Sequence, residues 1–188
     1  MYGEKPDRRS TLDGLRCVGN NARPANPDAR ALNIYYLIQE STIERVLARL
    51  ESGSDDYAQE VQDFAAGQPA LVTYLTNNED YEALNDEERT LLLFGALVIY
   101  HAITDERTEP APATEEAIGQ AEEKNYTLLP ERGPFRERLT PLFDSSAEEE
   151  LLAFAEDLIV AEADEDGITK EAREPMFVAL KTMVDVLT

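Results

Sequence analysis

The chain has 188 residues, 43% of them hydrophobic, and its 39 acidic side chains against 17 basic ones leave a net charge of −22. That length suits one domain with its own core and is short for two with a linker. So negative a chain repels phosphate backbones, so no direct nucleic-acid binding is expected, and the single cysteine, Cys17, excludes an intrachain disulfide or a cysteine-rich zinc site.

The bases are themselves biased, with 13 arginines and only four lysines, Lys5, Lys124, Lys170 and Lys181. A surface rich in carboxylate and poor in long ammonium side chains suits a high-salt cytoplasm, where screening to about 3 Å at 1 M relieves self-repulsion. An ordinary acidic protein and a mimic of nucleic acid are the alternatives.

In chain order, residues 1–25 come first, as a basic arm. The first thirty positions hold six bases (Lys5, Arg8, Arg9, Arg16, Arg23, Arg30) and four acids (Glu4, Asp7, Asp13, Asp28), a net of +2. The remaining 158 residues hold 11 bases and 35 acids, a net of −24. With few apolar residues, Leu12, Leu15 and Val18 among them, the arm is expected to be extended and to dock on the acidic body through charge. The opening MYGEKPDRRS has no apolar leader core and neither end carries a lipidation motif, so a reducing, cytoplasmic location is expected.

From Asn26 the helix signals begin, with Asn26 as cap, Pro27 at the first helical position and Asp28 against the dipole. A first helix is predicted to run to about Ser52, with a stripe of Leu32, Tyr36, Ile43, Leu47 and Leu50, and Gly53 as its stop. Ser54 then caps a second helix, DDYAQEVQDFAAG, and Pro69 opens a third, PALVTYLTN. The helical spacing of Ala70, Leu71, Tyr74 and Leu75 marks core packing first and a docking groove, with Tyr74 at its edge, second.

Asn85 to Glu88 (NDEE) has the logic of a capping box. The helix it opens contains the longest apolar run, Leu91 to Ile103, which would reach only about 20 Å, so a buried central helix and no membrane contact are expected. DERTEPAPATEE reads as a proline-rich acidic loop, Thr114 as the cap of a short helix through Lys124, and Tyr126 to Pro134 as irregular. Pro134 to Phe143 reads as a short helix strained by Pro141, and Ser146 with Glu149 as a second capping box. The helix after it turns Leu151, Phe154, Ala155, Leu158 and Ile159 inward, and a final helix is expected to be continuous only from Pro175, with Met176, Leu180, Met183, Val184 and Leu187 inward. Strand alternation and internal repeats are missing from the sequence. The predicted fold is therefore all-α, a single-domain bundle of six to eight helices, partly orthogonal, over residues 26–188, with the extended N-terminal arm ahead of it.

Few residues offer chemistry. In AEADEDGITKEAREPM (Ala161 to Met176), setting Gly167 at the sixth position of a calcium loop places Glu162, Asp164 and Asp166 at positions one, three and five. The twelfth position, which needs a bidentate glutamate, is Arg173, and Glu174 comes one residue late. The stretch reads first as a turn between helices, with Gly167 as a stop and Thr169 as the next cap, and second as a weak cation site. His101 is the one histidine, and Asp105, one turn on, is placed to pair with it as base and orienter or as an ordinary helical contact. The sequence holds no serine nucleophile elbow, phosphate loop or dinucleotide fingerprint. Carboxylates such as Glu148, Glu149, Glu150 and Asp157 are too abundant to carry information; Glu156 and Glu162, beside Leu158 and Ile159, are the candidates for an apolar face.

These observations point to a non-catalytic interaction or regulatory module with a protein partner or self-association, and no cofactor is expected. An enzyme or metal-binding protein with an unfamiliar site at His101 or at Glu162, Asp164 and Asp166 is the second alternative, and an acidic nucleic-acid mimic the third.

Overall fold

A computed structural model of the protein describes residues 37–52, 57–77, 81, 84–163 and 168–188. Eight helices and no strand occupy these residues: α1 (Glu40–Glu51), α2 (Tyr57–Gly67), α3 (Pro69–Asn77), α4 (Asp86–Glu106), α5 (Glu115–Leu128), α6 (Phe135–Asp144), α7 (Glu149–Ala163) and α8 (Lys170–Leu187). The all-α class read from the sequence is the class observed. The N-terminal arm, the helix start at Asn26 and the cap at Ser54 lie outside the described residues. Among the described residues no helix is long and apolar enough to cross a membrane.

Several helices begin where local chemistry dictates. The Asn85 side chain accepts from the Glu88 N–H (2.9 Å) while Glu88 Oε2 accepts from the Asn85 N–H (2.8 Å), a complete capping box. Thr114 accepts from the Ala117 N–H (3.2 Å) and Thr169 from the Ala172 N–H (3.3 Å), satisfying donors that have no partner inside the helix.

Four boundaries differ from expectation, each for a tertiary reason. The first helix is not continuous up to Ser52, because Gln39 is extended (φ −94°, ψ 147°) and Ile38, 1% exposed, gives its N–H to Glu148 Oε2 at 3.0 Å. The short helix expected to end at Lys124 runs on to Leu128, since Asn125 is fully buried and its amide donates to Thr182 (3.2 Å) and Asp185 (3.0 Å) on α8. Ser146 does not form a capping box with Glu149; its hydroxyl accepts from the Glu148 N–H (3.2 Å), and the carbonyl of Glu148 opens α7. The last helix starts at Lys170 and carries Pro175 inside it. Its start is held from outside, by Glu88 Oε1, which accepts from the Thr169 N–H (2.8 Å) and hydroxyl (2.7 Å).

Packing centres on α4 and α8. Helix α8 lies against α4, α5 and α7, and α4 also touches α1, α2 and α3. Both are buried around most of their circumference: Leu92, Ala96, Val98, Ile99, Ala102 and Ile103 on α4 are sealed from solvent, as are Met176, Phe177, Leu180, Met183 and Val184 on α8. Gly95 makes the close approach of α4 to its neighbours feasible, because a Cβ there would sit 2.7 Å from Leu158 Cδ2 and 3.2 Å from Leu180 Cδ1.

Candidate functional site

The sequence of α2, YAQEVQDFAAG, carries two different flanks at helical spacing. Val61, Phe64 and Ala65 fall on one side, and Glu60, Asp63 and Gly67 on another. Packed against α4, this helix separates an acidic cleft from an apolar groove.

The cleft has a volume of about 570 Å³ and is lined by Asp63, Ala66, Gly67, Tyr100, His101, Thr104 and Glu109. Gln68, fully buried just past the end of α2, braces the loop behind it. Its amide donates to the carbonyls of Pro110 (3.2 Å) and Ala111 (3.3 Å) and accepts from the Ala113 N–H (2.8 Å), so the proline-rich loop is held and Glu109 with it. Tyr100 gives its hydroxyl to Glu109 Oε1 at 3.3 Å, and Gly67 leaves room for that hydroxyl, which would be 2.6 Å from a Cβ there.

His101 is 7% exposed, and its Nε2 lies 3.3 Å from the Glu60 carbonyl and 3.5 Å from Glu60 Oε2. Asp105, the partner expected from the sequence, is instead bonded to Arg49 (3.1 Å), with Arg45 at 3.9 Å. Arg49 also reaches Glu60 Oε1 at 2.8 Å, so α1 inserts a guanidinium between the two acids. A permanent cation draws a carboxylate more strongly than a neutral imidazole does, and Asp105 affects His101 only through its field. Burial pushes the His101 imidazole below its ordinary value, against the pull of Glu60. The result is an oriented imidazole with a carboxylate partner, and the Thr104 hydroxyl in the same cleft donates to the His101 carbonyl at 3.2 Å.

The groove is the apolar counterpart, about 340 Å³, lined by Val61, Phe64, Ala65, Val72, Thr76, Leu93 and Leu97. The two large apolar side chains that remain exposed among the described residues, Val61 at 41% and Leu93 at 37%, both border it. Compared with known protein families, curated proteins and solved structures, the chain matches none. The groove and the cleft therefore stand on their own chemistry.

Tyr74 is not at the groove edge, where Val72 and Thr76 of the same helix stand instead. It turns to α5 and gives its hydroxyl to Glu122 Oε1 (2.7 Å), while Tyr81 donates to the Tyr74 oxygen (2.7 Å). Burial pushes both phenols up, assisted by the nearby Glu122 carboxylate. Glu162, Asp164 and Asp166 lie outside the residues whose side chains are described. The residues just C-terminal to them have structural roles: Ile168 is buried, Thr169 caps α8, and Glu174 pairs with Arg138 at 2.5 Å. Among the described residues no group of three or more histidine, cysteine, aspartate or glutamate side chains is arranged to hold a metal ion.

Three buried charged groups escaped the sequence reading. Glu88 and Glu148, 1% and 4% exposed, are the buried carboxylates of the described residues, whereas Glu156 sits at a boundary with Arg136 at 3.2 Å. Glu148 joins three elements, accepting from the Ile38 N–H and pairing with Arg107. Lys181, one of only four lysines, is fully buried and bonds Asp185 one turn on. Its signal in the sequence was position, since residue 181 lies within the inward stripe of Leu180, Met183 and Val184.

Proposed function

We propose that this chain is a non-catalytic binding module for a basic protein segment, received through an aliphatic anchor in the groove between α2, α3 and α4, and that its acidic surface is adapted to a salt-rich cytoplasm. The observation that carries the proposal is the coincidence of Val61 and Leu93, the large apolar side chains left exposed among the described residues, on one groove of an otherwise acidic chain. Exposed apolar surface costs solubility and marks contact sites when it is gathered in a concavity. A net charge of −22 favours a basic partner and opposes a second copy of the same chain.

A helical peptide of leucines at i, i+3, i+4 and i+7 with lysines elsewhere serves as the probe, titrated calorimetrically into the full chain in about 1 M KCl, where charge reaches only about 3 Å. The double substitution Val61→Ser and Leu93→Ser is expected to weaken binding by about tenfold or more, the scale of about 1.4 kcal/mol and of a few buried methylenes. Equal affinity for the variant would leave only charge attraction and defeat the groove as the binding surface.

The salt adaptation has its own test. With the body at −24, the melting temperature is expected to climb from about 0.1 M to beyond 1 M KCl, as the screening length falls from about 10 Å to about 3 Å. A melting temperature that is flat above about 0.3 M would match an ordinary acidic protein and remove this part of the proposal.

A further inference from the structure

The groove and the N-terminal arm are complementary in two independent respects, and we infer that the arm of this same chain is the groove's resident occupant, so that a partner must displace it. The inference rests on the groove being a binding surface, as proposed above, and adds how access to it is regulated.

The first respect is apolar. Leu12, Leu15 and Val18 are three apolar residues within a seven-residue stretch of an otherwise polar arm, and Val61 and Leu93 are the exposed large apolar side chains, among the described residues, that such a stretch would cover. The second is charge. The first thirty residues carry +2, with Arg8, Arg9, Arg16 and Arg23 around the apolar trio, while the rest of the chain carries −24. An arm docked there neutralises part of the field that a second copy or an acidic protein would meet.

Chain length permits the contact. The described chain begins at Leu37, and Ile38 is tied to Glu148, which also holds Arg107 at the end of α4. From Arg107 back to Leu93 on the groove is 14 helical steps, about 21 Å. Residues 19–36, between Val18 and Leu37, reach up to about 60 Å when extended, so the connection is not strained.

Because Cys17 is the sole cysteine and lies inside the apolar trio, the native full-length chain accepts one spin label where it is needed. With a nitroxide on Cys17, methyl NMR signals of Val61, Val72, Leu93 and Leu97 are expected to be lost in low salt, while those of Leu139 and Leu142 on α6, which packs on α5 and α7, persist. In a mixture of spin-labelled, unenriched chain with isotope-enriched, unlabelled chain, the groove signals are expected to survive, which shows that the contact is within one molecule. A second measurement avoids the label: the unlabelled variant Leu12→Ser, Leu15→Ser, Val18→Ser should shift the methyl resonances of the same four residues and no others to a comparable extent. Loss of signal elsewhere, no loss at all, or unchanged groove shifts in the variant would each overturn the inference. If the arm fails these tests while the lysine-leucine peptide still loses affinity on Val61→Ser and Leu93→Ser, the groove stands as a binding surface and only its occupation by the arm is wrong.

Discussion

Replacing Glu88 with alanine is expected to lower the melting temperature by about 6–20 °C, corresponding to about 3–5 kcal/mol at about 2–4 °C per kcal/mol for a chain of this size. The carboxylate is 1% exposed and accepts three hydrogen bonds, from the Asn85 N–H, the Thr169 N–H and the Thr169 hydroxyl. Removing it strands donors at the starts of α4 and α8 together, and each buried orphan costs about 1–3 kcal/mol. Burial pushes the Glu88 carboxyl up, but the hydrogen bonds from Thr169 and Asn85 prevail and hold it below its ordinary 4.5. A carboxyl depressed in the folded state adds stability that is fully present above its unfolded value, about pH 4.5, and is lost as pH falls through the folded value. The deficit of Glu88→Ala against the parent chain should accordingly shrink below about pH 4.5. Circular dichroism melts at both pH values decide it: a loss under about 2 °C at neutral pH would show that water replaces these bonds at no cost, contrary to the burial.

Asp185→Ala should be similarly severe, because it leaves the Lys181 ammonium buried without its counter-charge. Lys181 is fully buried, and burial already holds its ammonium below the ordinary lysine value against the attraction of Asp185. Asp185 also accepts from the Asn125 amide at 3.0 Å, so the substitution orphans a second buried donor. Breaking one half of a buried pair costs about 3–5 kcal/mol, whereas replacing both partners by apolar groups is often neutral. The double variant Lys181→Met, Asp185→Ala is therefore expected to recover most of the stability lost in Asp185→Ala, measured by chemical unfolding. Sign matters here as well: an amine depressed in the folded state penalises folding below its unfolded value, so the Asp185→Ala deficit should narrow as pH rises towards about 10. A double variant no more stable than the single one would mean that Asp185 acts through Asn125 and not through Lys181.

Whether a contact was legible in the sequence depends on how far apart its residues lie. The cap at Asn85 with Glu88 and the caps at Thr114 and Thr169 were readable because each closes a hydrogen bond over three residues, and such geometry depends only on the local chain. The central place of α4 was readable for a related reason, since a run apolar on every side has nowhere to go but the interior. The start of α1 at Glu40 was not, because it comes from a bond between Ile38 and Glu148, 110 positions apart. Nor was the partner of His101, where periodicity correctly placed Asp105 on a neighbouring turn but gave no sign that Arg49 would arrive from α1 to take it.

The groove shows the same division most clearly. The sequence by itself determined an all-helical class, a helix over DDYAQEVQDFAAG and a strongly acidic composition, but it named no face of that helix as a groove wall. Only the tertiary structure decided that α3 and α4 leave Val61, Phe64 and Ala65 of α2 on a partly uncovered groove, that Tyr74 turns away to Glu122, and that among the described residues Glu88, Glu148 and Lys181 are charges taken into the core. The physical reason is that burial is a property of neighbours: a residue's hydrophobicity states what it would gain from being covered, and the packing of distant segments determines which residues are covered.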